Sequence, residues 1–545
     1  MLAGIVLLVL AVLVPAHLRA VDPAVIARAG QGGSTLRAQA EEWLRLEKVG
    51  PARLLAQGAT AAGLRIGPDL EQAVANVANA NPATARWGES APYLDALLGA
   101  GRERFTPGQP VLDSILPDPA RAALLNALSG SRRTDVMAVL SNRQLPEPVV
   151  FPPVASPSGQ ALDAAILLTG LLLQTDQLPV SLRREIESLA TAAARGSDSS
   201  PIESFYLNLN SMARRMDWSQ ISALFRNIED VAALRQIARS STHRPADLPV
   251  VFSAVVMANT GSKVADYLRK FPKEGVTHLA LALKEGTGGV RELLRRGDPL
   301  HEGRVRTALS TWPGFSLLHG MMTGLAVWSP TMALLFKYLL WFDGMFCLVR
   351  GAWFLRSDAP SVSYALQVPG LNTLRQMTIA GLAVILIGTL GEPGLARSDR
   401  DVIPAAMWRF PKAGAILAQQ TQEPQTIMNA TTSTWLALGL FFVMQLVIYV
   451  LCLIKLREIK RHSLPSGLKV KLLDNEENLF DAGLYIGLGG TVLSLVLIAV
   501  KYIEPSLMVA YASTLFGILF VSLLKIFHVR PYRRLLLIDA DRQKL

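Results

Sequence analysis

From about Phe315 onward the chain is dominated by apolar runs long enough to cross a lipid bilayer, and this restricts the folds open to it. Inside hydrocarbon no water can satisfy a backbone N–H or C=O, so such runs must close their own hydrogen bonds as helices. Phe315 to Leu355 is interrupted by Pro330, Lys337 and Asp343, and reads as one crossing, Ser329 to Val349, preceded by an interfacial helix. Met377 to Gly391, Ser433 to Ile454, Ala482 to Val500 and Pro505 to Leu524 supply four more. At 1.5 Å per residue, about 20 residues reach about 30 Å, the hydrocarbon thickness.

Basic residues orient these spans. Lys455, Arg457, Lys460, Arg461, Lys469 and Lys471 lie between the third and fourth, and Lys525, Arg530, Arg533 and Arg534 follow the fifth. Both groups are expected in the cytoplasm, as are Arg350, Arg356 and Arg375 between the first two spans. Counting back places Val21 to Ser310 outside. The apolar run Leu2 to Ala16 agrees: it resembles the hydrophobic region of a signal peptide, although no Lys or Arg precedes it, and an uncleaved N-terminal anchor is the alternative. The net charge of +11 is therefore read as basic flanks and scattered Arg, with no nucleic-acid partner implied.

The exported region reads as helices and turns. Ile221, Leu224, Phe225, Ile228, Val231, Leu234 and Ile237 repeat at helical spacing, with Asp217 or Ser219 as a cap. Pro68 and Asp69 open another helix that carries Leu70, Val74 and Val77 on one face. Five prolines between Leu145 and Ser158 exclude a helix there and suggest a linker (145–159) between two helical regions, 21–144 and 160–310. No fixed repeat period is evident, and stacked helix pairs remain open. The expected fold class is all-α: an exported helical region followed by a polytopic membrane domain of about five transmembrane helices. The division expected in the remainder is two crossings in 315–395, an extracytoplasmic loop at 396–432, a three-helix core at 433–530 and a cytoplasmic tail.

Catalytic constellations are absent from the sequence. The seven histidines have no metal-ligand spacing, and no nucleophile elbow occurs. Lys284 to Gly289, KEGTGG, lacks the Lys-Ser/Thr ending of a phosphate loop and reads as a helix-ending turn. Cys347 and Cys452, the two cysteines, both fall in apolar spans and read as buried thiols. Lys337 and Asp343 read as snorkelling charges near a cytoplasmic end. No enzyme activity and no cofactor are expected.

One stretch carries more information. Tyr485 to Gly517 runs YIGLGGTVLSLVLIAV, a short turn KYIEPS, then LMVAYASTLFG. Gly483 and Gly487 form a GxxxG pair with Gly490 beside it, a pattern that lets helices approach closely. The stretch resembles the second and third transmembrane helices of the MotA/TolQ/ExbB proton-channel family. YIGLGGTV is similar to that family's signature, and Pro505, Ala510, Thr514 and Gly517 follow the family's spacing on the next helix. The resemblance covers about 430 to 530 and departs in a shorter cytoplasmic loop, in a missing later Pro, and in Val509 where several members have Glu. It implies an inner-membrane, proton-motive-force-coupled stator-like subunit of a bacterial envelope. Thr491, Thr514, Ser494 and Ser513 would lie on the ion path, and Gly483, Gly487, Gly490, Gly517 and Ala510 would pack helices. It also implies a pentamer in the lipid membrane around a single-span partner of the ExbD/TolR/MotB type. The partner would bring the membrane Asp, because neither helix has an acid of its own. The alternative is a non-conducting scaffold that presents the exported region.

Overall fold

The computed structural model describes residues 1–64, 68–98, 108–145, 148–310, 313–356, 369–392, 427–461, 464–499 and 507–542. Every regular element among them is helical, so the all-α expectation holds. The chain divides into two compact units: Ala20–Pro330, and Met1–Arg19 together with Thr331–Leu545.

In the Ala20–Pro330 unit the helices surround two that are apolar on nearly every side, Gln160–Gln174 and Leu248–Ala258. Helices of that kind belong either in a core or in lipid; here Leu162 through Leu168 and Val250 through Val255 are buried in one continuous core. That core draws on both sides of the proline-rich stretch, so the stretch does not separate two folding units. It is fastened instead. The buried Glu203 accepts hydrogen bonds from the backbone N–H groups of Val149, Val150 and Phe151 at 2.8, 2.6 and 3.0 Å, and from the Ser199 hydroxyl at 2.6 Å. Proline-rich chain cannot pair its N–H groups in a helix, and one carboxylate answers three of them.

The unit closes on itself where the chain enters and leaves. Val21 and Leu300 form a parallel bridge, with Val21 N–H donating to Pro299 O and His301 N–H to Val21 O, both at 2.9 Å. The Pro23–Gly30 helix, capped by Asp22, packs on Gly286–Arg296, and buried Arg306 pairs with Asp22 at 2.6 Å. An open stack of helix pairs does not bring its first and last helices together.

Local expectations fared unevenly. Pro68–Ala80 is a helix with Leu70 buried. Asp217 caps Trp218–Phe225 through a capping box with Gln220. The apolar stripe from Ile221 to Ile237 is divided, however. The first helix ends at Phe225, and Asp230 caps a second, Val231–His243, by accepting from Ala233 N–H at 2.6 Å. KEGTGG is the helix-ending turn expected, closing Gly275–Leu283 with Gly286 at φ +72°, and it also makes a close contact. An added side chain on Gly286, Gly288 or Gly30 would collide with the backbone of Ser34, Ala29 or Glu285, so two glycine-rich segments lie backbone on backbone. No room for a phosphate remains there.

In the other unit, two helices among the described residues are long and apolar enough to cross a membrane, Pro330–Leu355 and Tyr511–Arg542. The described parts of the expected second and fourth spans give shorter apolar helices, Gln376–Ile385 and Ala482–Val492, within helices Pro369–Gly391 and Ala482–Ala499. The expected third span lies in the Ile427–Arg461 helix, whose 35 residues measure about 52 Å, well beyond about 30 Å of hydrocarbon. Its far end packs Leu456 and Ile459 with Leu473, Phe480 and Leu524. The basic segment between spans is itself helical, at Ser466–Asn475, and contacts the C-terminal Arg530–Arg542 helix, where Asp474 pairs with Arg533 at 3.0 Å. Most of the 396–432 loop lies outside the described residues.

Candidate functional site

The helices Ala482–Ala499 and Leu507–Leu524 pack antiparallel and more intimately than any other pair in their unit. Glycine explains the closeness. A Cβ on Gly487 would sit 2.8 Å from the Ser513 carbonyl oxygen, and one on Gly517 2.7 Å from that of Gly483. Backbone this close leaves no space for a side chain, and close approach of this kind is how membrane helices associate without a hydrophobic driving force. Gly483 joins the same seam, whereas Gly489 faces open space and Gly490 is half-buried. The side chains of Ala510 and Ser494 lie outside the described residues.

One turn beyond Gly487 on the same face, the Thr491 hydroxyl meets the Thr514 hydroxyl across the seam. Thr491 donates to Gly487 O at 3.1 Å, and Thr514 reaches the same carbonyl at 3.3 Å. Thr491 is buried, and Thr514 is half-buried. Two hydroxyls and one carbonyl thus form a small polar cluster in otherwise apolar helices. Ser513, next to Thr514, is fully buried, and its hydroxyl has no hydrogen-bond partner among the described residues.

A third helix completes the arrangement with a residue the sequence reading passed over. Gln445, from Ile427–Arg461, is fully buried, and its Nε2 donates to Gly483 O at 3.0 Å. The same Nε2 lies against the faces of Gly487 and Gly517. Its Oε1 is buried with no hydrogen-bond partner among the described residues. The available signal was a lone amide in a charge-free apolar run, since polar side chains in such runs are costly and tend to have a purpose. At one end of the helix pair, Lys525 pairs with Asp481 at 2.7 Å.

Lys337 behaves otherwise than expected. Lys337 does not snorkel: it lies in the second turn of Pro330–Arg356, buried, with its ammonium 2.7 Å from Glu392 Oε1 and 2.7 Å from Ala16 O. A partner carboxylate and a carbonyl acceptor replace the water that snorkelling would have sought. Cys452 is buried and donates weakly to Leu479 O, in keeping with an inert thiol.

Among the buried charged side chains of the Ala20–Pro330 unit, Asp217 stands beside a cleft. Burial pushes this carboxyl up to about 7, against the Gln220 N–H and the Arg53 guanidinium 3.3 Å away, which favour its charged form. Gly50 and Gly88 cradle it so closely that a Cβ on either would fall within 2.6 Å of a carboxylate oxygen, and Gly88, at φ +78°, needs glycine on backbone grounds as well. A cleft of about 240 Å³ lies beside it, lined by Val49, Arg53, Val74 and Ala78 among others. Asp217 is engaged in capping and pairing, which accounts for its burial. His278 is likewise satisfied, by the Tyr267 hydroxyl at 2.9 Å, and no cluster of metal-ligating side chains occurs among the described residues. Set beside known protein families, characterised proteins and solved structures, the chain matches none of them.

Proposed function

We propose that this protein is a proton-channel, stator-like subunit of the MotA/TolQ/ExbB type, embedded in a bacterial inner membrane by about five helices. Val21 to Ser310 would lie outside and the C-terminus in the cytoplasm. The observation that carries this reading is the pairing of Thr491 and Thr514 over the Gly487 carbonyl. Both belong to the motif that resembles the family, and they fall together on adjacent helices, Thr514 only half-buried. Two hydroxyls and a carbonyl gathered at membrane depth favour water or a partner's polar group nearby. The buried Gln445 Oε1 and Ser513 hydroxyl add to that polarity. Neither helix offers an acid, His or Lys between Ala482 and Val500 or between Ser506 and Leu524, so a proton carrier would come from a partner helix. Basic residues at 455–471 and 525–534 support the orientation.

A second reading has its own support. Thr491 is buried and bonded to a carbonyl of its own helix, the usual habit of a packing threonine. On that basis the core is a non-conducting scaffold. Purification in mild detergent followed by native mass measurement separates the two. The channel reading expects several copies of this chain with a single-span protein carrying a membrane Asp. A clean monomer, under conditions that keep other membrane complexes whole, would overturn it.

A further inference from the structure

We propose that the N-terminal helix Leu2–Leu13 is a permanent membrane helix of the mature protein and not a leader that is removed. Two independent features of the unit it belongs to carry this. The first is a fitted groove. Gly344 and Gly351 lie two turns apart on one face of Pro330–Arg356, and the N-terminal helix occupies that face. A Cβ on Gly4 would sit 2.7 Å from Gly344 O, one on Gly344 2.9 Å from Leu8 Cγ, and one on Gly351 would collide with Met1. The contacts run in opposite directions along the two chains, so the helices are antiparallel. From Lys337 to Gly351 the partner helix rises about 21 Å, most of the hydrocarbon core. The run is short for a lone span, but Val14 to Ala16 continue past the helix and are buried where Ala16 reaches Lys337.

The second feature is a charged clamp at the end of that segment. Lys337 Nζ donates to Ala16 O and to Glu392 Oε1, each at 2.7 Å, and Glu392 Oε2 accepts from Leu18 N–H at 3.0 Å with His17 Nδ1 3.5 Å away. Side chains of Lys337 and Glu392 are 5% and 0% exposed. Cleavage after the small residues near Ala16 would take an acceptor from a buried ammonium and leave the glycine groove facing lipid. The ion pair with Glu392 would remain, but a hydrogen bond to a buried charged group is worth more than one between neutral groups, and its loss is costly. The helix also shows the two faces of a peripheral span: Gly4 and Ala11, two turns apart on one side, are buried, whereas Leu2, Ile5 and Val6 on the other are exposed.

The test begins with the unaltered protein, extracted from membranes and measured by intact mass and by its N-terminal tryptic peptide, which ends at Arg19. Residues 2–19 should be present in essentially every molecule; a mature chain that starts beyond Ala16 overturns the proposal. Packing is tested in a Cys347→Ser, Cys452→Ser background. Oxidation should join Leu8→Cys to Gly344→Cys within one chain at least several-fold more than Ile5→Cys to Gly344→Cys. Equal yields for the two pairs would mean a retained but undocked segment, which also overturns it.

Discussion

Glu203 shows how much of this fold rests on single side chains that give little notice in the sequence. Its position in the Ser200–Ala213 helix is unremarkable to read, yet it fastens the proline-rich stretch through three backbone N–H groups. Burial alone would push its carboxyl up, but the Ser199 hydroxyl and those N–H groups hold it below the usual carboxylate range. A depressed carboxyl contributes stability above its unfolded pKa and loses it as pH falls through the folded value. Glu203→Gln should therefore destabilise the protein by about 1–3 kcal/mol at neutral pH, because an amide nitrogen would face donors. In denaturant melts the gap to wild type should narrow below about pH 4.5. An unchanged gap down to pH 3 would contradict this account. Asp217, in contrast, was legible as a cap because N-capping is local; its partner Arg53 and its two glycine neighbours are distant in the chain and left no local trace. Lys337 was misread for the same reason, since its partners lie at Ala16 and Glu392.

Among the elements, the helical spacing of apolar residues identified helices well but not where they stop. The stripe from Ile221 to Ile237 keeps one phase across a turn, and only the Asp230 cap marks the break. GxxxG spacing did identify the closest helix pair, because glycine at i and i+4 acts through its absent side chain. Gln445 escaped notice because a single amide has no spacing to read. The seam makes a graded prediction. Gly487→Ala and Gly517→Ala place a methyl against fixed backbone and should each cost about 1–3 kcal/mol or disperse the oligomer. Gly489→Ala meets nothing within 4 Å and should be silent. Thermal shift and oligomer yield in detergent measure both. Equal tolerance at all three positions would show that the seam is looser than described.

For the molecule as a whole, composition and the distribution of apolar runs were enough to indicate an all-helical chain with a hydrophobic C-terminal part. The boundary was not legible at the prolines; it falls at Arg19/Ala20 and Pro330/Thr331, because a shared core overrides a break in helix. The proposed orientation rests on the basic residues alone, and reporter fusions at Ser200 and at the C-terminus should report opposite compartments. The same compartment for both would remove the topology and the family reading with it. Proton uptake by inverted membrane vesicles, with and without this protein, tests the central proposal most directly when Thr491→Val and Thr514→Val are compared with wild type at equal oligomer yield. Valine keeps the volume and removes the hydroxyl, and the lost bond is worth only about 0.5–1.5 kcal/mol, so assembly should survive. The account predicts intact oligomers whose uptake falls to the level of vesicles lacking the protein. Wild-type uptake from both variants would contradict it and leave the paired threonines as packing alone.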